Sequence, residues 1–179
     1  DPLPRPIHSR KGRRLLFIPT THDRLACAEE INELFQGTPI EERLFGALRR
    51  DGLWPEREYY VQVRRPEVHP PATAAHFLDL ALFCRERNLD VECDGDTWHL
   101  GTEGARRDRL RDNLLEADGW HILRFNTDEV IRGLSDVLTR IRTAINRYGG
   151  VVSEDGIVQR YLADGRLSPG QGTLDLSGQ

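Results

Sequence analysis

The chain has 179 residues, 38% of them hydrophobic and 30% charged, which suits one domain with a buried core and a soluble surface. No apolar run approaches the roughly 20 residues of a membrane span, and the proline-rich, basic beginning lacks the pattern of a signal peptide. The net charge of −4 excludes a globally basic nucleic-acid binder, although arginines cluster locally and Lys11 is the only lysine.

The three cysteines, Cys27, Cys84 and Cys93, show no C-x-x-C spacing. An odd number without that spacing disfavours a zinc site and a disulfide framework, and it favours a reducing compartment. We therefore expect a cytoplasmic protein. Because the sequence contains no methionine, we also expect it to be a piece of a longer protein.

The first 37 residues are predicted to form an N-terminal lead-in and a helix. Residues 1–14 are typical of an extended or disordered segment, and residues 15–19 (LLFIP) predict a short strand. Residues 21–35 place apolar side chains at helical spacings of three and four. Thr38, Pro39 and Glu41 then form the pattern of a capping box, which begins a second helix that ends near Gly52.

The rest of the predicted domain, residues 38–148, alternates strands and helices. Strands are predicted at residues 59–63, 76–84, 89–93 and 120–125, and helices at residues 106–117 and 127–148. The first three strands suggest a meander and the last strand adds a parallel member. These elements predict an α/β fold, a three-layer α/β/α sandwich with a mixed central sheet. Residues 149–179 are predicted to be a largely flexible C-terminal extension, with a small element at residues 151–162.

Three acidic residues are predicted to meet at one end of this sheet. Asp79 lies in one apolar run, and Glu92 and Asp94 end the next. Carboxylates that share a poorly solvated place repel one another unless a cation neutralises them. Hard oxygen ligands without a thiolate cluster suit Mg²⁺ or Mn²⁺, so the pattern predicts a divalent-metal site.

The order of several short motifs resembles the PD-(D/E)xK nuclease superfamily, and within it the small domains related to very-short-patch repair endonucleases. The resemblance spans roughly residues 38–145 and implies a restriction-endonuclease-like fold. The matching pieces are T-P-x-E at residues 38–41, Gln62, Asp79, V-E-x-D-G at 91–95, W-H at 98–99, D-x-x-R at 108–111, G-W-x-I-L-R-F at 119–125 and E-V at 129–130.

The resemblance implies a metal-dependent DNA endonuclease, as part of a larger repair, restriction or defence protein. In such a site Asp79 and Glu92 hold the metal, the backbone carbonyl of Cys93 adds a ligand, and Glu41 reaches the metal directly or through water. The metal polarises the scissile phosphate for attack by water. His99 orients that water or protonates the leaving oxygen.

Asp94 stands where the superfamily usually has a lysine, so a second metal ion, His99 or an arginine must supply positive charge near the transition state. Two other interpretations stay open at this point. Asp94 and Gly95 also match a type I′ hairpin turn, in which case the acids have no metal. Glu41 is equally well explained as the acid of the capping box.

Gln62, Arg106, Arg107 and Arg111 are the predicted DNA contacts. Arg107 and Arg111 share one face of their helix, where they either grip phosphates or pair with Asp108 and Asp112. In the tail, residues 171–176 (QGTLDL) loosely resemble the peptides that dock into sliding clamps.

Two further functions fit the sequence less well. One is a nuclease-fold module that has lost catalysis and serves nucleic-acid binding or scaffolding. The other is a protein–protein interaction module that binds neither metal nor DNA. The net negative charge favours both, whereas the coincidence of Asp79, Glu92, Asp94 and His99 disfavours them.

Overall fold

The structure is a computed structural model that describes residues 5–8, 15–18, 38–65, 72–95, 102–153 and 155–173. The strands are β1 (Arg5–His8), β2 (Leu15–Ile18), β3 (Glu56–Arg65), β4 (Ala72–Leu82), β5 (Asn88–Asp94), β6 (Trp120–Asn126), β7 (Val151–Val152), β8 (Ile157–Gln159) and β9 (Gln171–Thr173). The helices are α1 (Pro39–Arg50), α2 (Thr102–Ala117), α3 (Thr127–Arg132) and α4 (Leu134–Arg147).

The central sheet has four strands in the order β3-β4-β5-β6. The first two pairings are antiparallel, and β5 and β6 are parallel because α2 forms the crossover between them. The β3–β4 pairing runs from Glu56 to Arg65, whereas β4 pairs with β5 only from Leu80 to Leu82. The β3–β4 ribbon therefore extends well beyond the rest of the sheet.

Helices cover both faces of this sheet, so the predicted three-layer α/β/α sandwich with a mixed sheet is confirmed. On one face the larger apolar cluster joins Leu44 of α1 and Ile141 of α4 to sheet residues such as Val91 and Phe125. On the other face a smaller cluster joins Leu115 of α2 to Val63, Leu78, Ala81 and Trp120. Burial of these side chains is the main stabilising contribution to the fold.

The capping box of α1 is confirmed. The backbone N–H of Glu41 donates to Thr38 Oγ1 at 3.4 Å, and the backbone N–H of Thr38 donates to Glu41 Oε2 at 3.0 Å. Pro39 occupies the first helical turn, where its missing N–H costs nothing. These local contacts fix where α1 begins, so that its apolar face meets the sheet.

The single helix predicted at residues 127–148 is wrong, because Gly133 divides it into α3 and α4. Asn126 caps α3 by accepting from the N–H of Glu129 at 2.9 Å, and Gly133 lies at φ −111° and ψ 25°, outside the helical region. Apolar spacing continues across the break through Val130 and Leu134, which is why the sequence pattern does not show it.

The C-terminal extension is more ordered than predicted, since β7, β8 and β9 form a three-stranded antiparallel sheet. Tyr161 is buried in the larger apolar cluster, and its hydroxyl donates to Asp51 Oδ2 at 2.8 Å. Arg142 of α4 donates to the same carboxylate. Asn146 exchanges two 2.8 Å hydrogen bonds with the backbone of Tyr161, so the extension is fastened to α1 and α4.

Predictions for the N-terminal region are tested only in part. The strand expected at residues 15–19 is present as β2, and it pairs antiparallel with β1, which lies in the segment expected to be extended. The helix predicted at residues 21–35 lies outside the described residues. Within the described ranges, no helix is long and apolar enough to cross a membrane.

Candidate functional site

Asp79 lies at a local irregularity of the sheet. Leu78 packs under α2 and Leu80 packs on the opposite face, although residues two apart on a regular strand share a face. The neighbouring strand is distorted at the same level, where Glu58 has a φ of 47°, rare for any residue but glycine. Asp79 is only 4% exposed, and its Oδ2 accepts a 3.0 Å hydrogen bond from the backbone N–H of Cys93. The change of pleat thus fixes this carboxylate against β5.

Acids and apolar residues alternate along β5. Asp90, Glu92 and Asp94 follow the period of two that places side chains on one face of a strand. Asp90 is fully buried and Glu92 is 4% exposed, whereas Asp94 ends the strand and is exposed. Because Leu80 pairs with Val91, the register puts Asp79 and Glu92 at neighbouring cross-strand positions. The predicted meeting of Asp79 and Glu92 is therefore present in the structure.

Arg111 of α2 is the counter-ion of this acidic row. Its Nη2 donates to Glu92 Oε1, lies 3.5 Å from Asp90 Oδ2 and donates to the carbonyl of Phe77 at 3.3 Å. Burial lowers the pKa of Arg111, but the hydrogen bond to Glu92 and the surrounding carboxylates outweigh burial and raise the pKa overall. Arg111 thus keeps a fixed positive charge beside Glu92.

Asp90 is a member of the cluster that the sequence interpretation missed. Burial and the negative charge of Glu92 raise the pKa of Asp90 to about 9, so its carboxyl is protonated at neutral pH. The available signal was the D-x-E-x-D alternation itself, since a strand that places Glu92 in the site places Asp90 on the same face.

Arg124 of β6 supplies a second guanidinium group. It forms a two-fold hydrogen-bonded pair with Asp112 of α2 at 2.5 and 2.6 Å, and its Nε lies 3.7 Å from Asp94 Oδ2. Partial burial raises the pKa of Asp94, while Arg124 opposes that shift. An arginine inside the apolar strand β6 needs a carboxylate partner, and this partner, Asp112, anchors α2 over the acids.

Glu41 serves the cap of α1, as the open alternative allowed, and it also lies near the predicted ligands. After burial, the charges of Asp79, Glu41, Glu92 and Asp94 raise the pKa of the Cys93 thiol, in that order of importance. The charges of all four predicted acids therefore act on Cys93. The carboxylate of Glu41 is nevertheless engaged by the N–H of Thr38, which makes Glu41 a weaker ligand candidate than Asp79 or Glu92.

Among the described residues, His76 of β4 is a histidine on which the charges of Arg111 and Glu92 act, and the sequence interpretation did not select it. Burial is the main cause that lowers the pKa of His76, Arg111 lowers it further and Glu92 opposes both, so the ring is neutral near Arg111 and Glu92. Its Nε2 is buried and has no hydrogen-bond partner among the described residues. His99, the predicted catalytic histidine, lies outside the described residues.

The predicted DNA contacts are not brought together as one face. Gln62 is exposed on β3 and donates to the Tyr60 hydroxyl at 2.7 Å. Arg106 and Arg107 are exposed on α2, whereas the Arg111 side chain is only 17% exposed and turned to the sheet. Arg111 also does not pair with Asp108 or Asp112, since its partners are Glu92 and Asp90.

Two further interpretations of the sequence concern the hairpin turn at Asp94 and Gly95 and the sliding-clamp motif at residues 171–176. The hairpin-turn interpretation of Asp94 and Gly95 stays a prediction, because residues 96–101 lie outside the described residues; the next described element after β5 is α2, and β6 is parallel to β5. In the sliding-clamp motif, Gln171–Thr173 is paired with β8 as strand β9, and residues 174–176 lie outside the described part of the chain.

A divalent cation requires several oxygen donors in one place. Across the described ranges, no group of three or more His, Cys, Asp or Glu side chains is arranged to hold a metal ion. Mg²⁺, however, is commonly bound through one or two carboxylates, with waters and substrate phosphates completing its octahedral shell. Asp79 and Glu92 provide two buried carboxylates at neighbouring positions, so these residues fit Mg²⁺ or Mn²⁺ in donor chemistry.

A mixed sheet between helical layers, with a buried carboxylate pair where β4 and β5 separate, defines an α/β restriction-endonuclease-like fold. The family model REase_MTES_1575 matches residues 57–145, from β3 to the end of α4, and this match indicates a nuclease domain. A protein of Haemophilus influenzae named "Uncharacterized protein" is 27% identical over 100 residues, covering 52% of this chain and 80% of the relative. No solved structure matches the chain.

Proposed function

We propose that this chain is a metal-dependent DNA endonuclease domain that hydrolyses phosphodiester bonds, within a larger cytoplasmic repair, restriction or defence protein. The observation that carries the proposal is the pair Asp79 and Glu92, each 4% exposed, on adjacent strands of a restriction-endonuclease-like sheet. Burying two carboxylates side by side costs stability, and a pure structural role does not require it. The family match over residues 57–145 supports the same activity.

Asp79 and Glu92 would hold Mg²⁺ or Mn²⁺, with the Cys93 carbonyl and Glu41 as further candidate ligands. When bound, the metal would supply Lewis-acid polarisation of the scissile phosphate. The backbone N–H of Cys93 keeps the Asp79 carboxylate oriented, because it occupies Oδ2 at 3.0 Å. Orientation of this kind lowers the reorganisation that the transition state would otherwise require.

Arg111 can supply the positive charge that a lysine usually supplies at the position of Asp94. Its guanidinium lies beside Glu92, and the hydrogen bond to Glu92 raises its pKa further, so it stays protonated. In this proposal Arg111 stabilises the negative charge that develops on the phosphate. Asp94, next to Arg124 at the end of β5, and His99 are the candidates for positioning water or protonating the leaving oxygen.

The first test removes the carboxylates one at a time. We expect Asp79→Ala and Glu92→Ala to abolish Mn²⁺ binding, measured by titration calorimetry, and to abolish cleavage of supercoiled plasmid. The fold should persist, although without metal the melting temperature should fall, because Asp79→Ala leaves the Cys93 N–H without its acceptor and Glu92→Ala leaves Arg111 without its main partner. Asp118→Ala is the matched control, since Asp118 is an exposed acid in the turn before β6. Wild-type cleavage by either site variant would disprove the proposed site.

A second candidate, a catalytically inactive nuclease-fold module that binds nucleic acid, is favoured by one observation. Arg111 already neutralises Glu92, and the described residues contain no three-ligand group. The same experiments separate the two functions. A wild-type chain that binds DNA but gives neither Mn²⁺ binding nor cleavage would be the inactive module.

A further inference from the structure

Helix α2 has a second functional face besides the one that carries Arg111. Arg106, Arg109, Leu110 and Asn113 follow the spacing i, i+3, i+4 and i+7, which places them on one side of a helix. Arg111 is five residues from Arg106, and at about 100° per residue it points roughly 140° away from this stripe. The stripe therefore faces away from the Glu92 cluster.

This stripe forms one wall of an open groove of about 510 Å³, and Arg65 at the end of β3 forms the other. Arg106, Arg109 and Asn113 are exposed, and Leu110 is 39% exposed. Three of the five lining residues are arginines, and none of the lining residues is acidic. The groove is thus strongly positive although the whole chain carries a net charge of −4.

Arg106 and Arg109 differ from the arginines that tie the helices to the sheet. Arg111, Arg124, Arg87 and Arg142 each pair with a carboxylate. Arg109 donates only its Nε–H, to the carbonyl of Ala105 at 3.4 Å, and no ion pair joins Arg106 or Arg109 to another side chain that the structure describes. Among the described side chains, the guanidinium groups of Arg106 and Arg109 thus have no carboxylate partner and are available to an anionic ligand.

We infer that the groove between Arg65 and the Arg106–Arg109–Asn113 stripe binds the phosphate backbone of DNA. The identity of this ligand rests on the proposed function. Guanidinium groups present two parallel donors to a phosphate, and the exposed part of Leu110 gives an apolar patch for a sugar ring. Such contacts fix the position of a strand without reading its sequence.

The groove lies on the opposite side of α2 from the Glu92 cluster, so its contacts would hold a strand on the outer surface of the helix. Along the helix axis, Arg106 lies about 7.5 Å from Arg111, which corresponds to roughly two base steps of a duplex at 3.4 Å per step. The predicted contact Arg106 belongs to this groove, Arg109 and Arg65 are new, and Arg107 and Arg111 lie outside it.

The test measures binding of a 20-base-pair mixed-sequence duplex to the full chain by fluorescence anisotropy, in EDTA and at four KCl concentrations. We expect Arg106→Gln/Arg109→Gln to weaken binding and to flatten the slope of log K against log salt by about 1.8, or roughly 0.9 for each lost phosphate contact. Arg106→Lys/Arg109→Lys should keep the wild-type slope because it keeps both charges.

The matched control is Arg132→Gln/Arg166→Gln, which makes the same charge change at two side chains that are each 80% exposed elsewhere on the surface. The inference is overturned if the groove and control variants have equal slopes, or if the wild type does not bind the duplex. It is also overturned if polyglutamate binding, and not duplex binding, depends on the groove arginines, because the partner is then an acidic protein segment.

Because binding is measured without metal, this experiment is independent of catalysis. Asp79→Ala should keep the wild-type salt slope in EDTA while losing cleavage with Mn²⁺, because Asp79 is not part of the groove. If the wild type cuts nothing, the proposed endonuclease fails, and the comparison of slopes still decides the groove.

Discussion

Helices α2 and α4 cover opposite faces of the same sheet by different chemistry. Helix α4 buries Val137, Ile141, Ala144 and Ile145 in the larger apolar cluster. Helix α2 fully buries Leu115 and is otherwise attached through charged pairs, Arg111 with Glu92 and Arg124 with Asp112. We expect the larger apolar cluster on the α4 side to contribute more to the free energy of unfolding. The α2 side has a smaller apolar cluster and more ion pairs.

The largest effect is expected on the α4 side. Ile141→Ala should lower the free energy of unfolding by about 3 kcal/mol, because a fully buried side chain is replaced by a cavity between α4 and the sheet. Urea denaturation at pH 7 measures the change. A loss below about 1 kcal/mol would show that this face does not hold the main core.

An effect of opposite sign is expected under α2. The folded state holds the Asp90 proton up to about pH 9, whereas the unfolded chain releases it near 3.8, so rising pH favours unfolding across this window. Asp90→Asn resembles the protonated carboxyl and should raise stability at pH 7 by on the order of 2 kcal/mol. Urea denaturation at pH 4.5, 6 and 7.5 tests it, and a gain that does not grow with pH contradicts the buried-acid explanation.

The smallest effect is expected on the outer stripe of α2. Leu110 is 39% exposed, so Leu110→Ala should change the free energy of unfolding by less than about 0.5 kcal/mol. The same urea titration used for Ile141→Ala provides the comparison. A loss similar to that of Ile141→Ala would mean that the stripe is part of a core and not an open groove wall.

Local signals in the sequence predicted much of the architecture. The capping box of Thr38 and Glu41 acts between residues three apart, and the apolar periods of β4, β5 and β6 depend only on neighbouring residues. The proximity of Asp79 and Glu92 followed from the order of the strands. Features set by contacts that are local or regular in register are therefore accessible from sequence.

The wrong predictions concern features that the local spacing of residue types does not reveal. The alternative pairing of Arg111 with Asp108 or Asp112 on its own helix is wrong, because its carboxylate partner Glu92 is 19 residues away on β5. Gly133 was hidden because apolar spacing continues across it. The order in residues 151–173 depends on Tyr161 reaching Asp51, a contact across 110 residues. The metal, the DNA contacts and the role of His99 stay predictions.

The contact of Tyr161 with Asp51 also bears on how the domain unfolds. Asp51 ends α1, Arg142 lies in α4, and both meet the Tyr161 hydroxyl, while Asn146 holds the backbone of Tyr161. Arg142 and Tyr161 thus both donate to the carboxylate of Asp51, which links α1, α4 and the C-terminal extension. The C-terminal sheet cannot detach alone without exposing Tyr161 and leaving the Asp51–Arg142 pair open to water. We therefore expect it to belong to the same cooperative unit as the central sheet and to unfold with that sheet in a single transition.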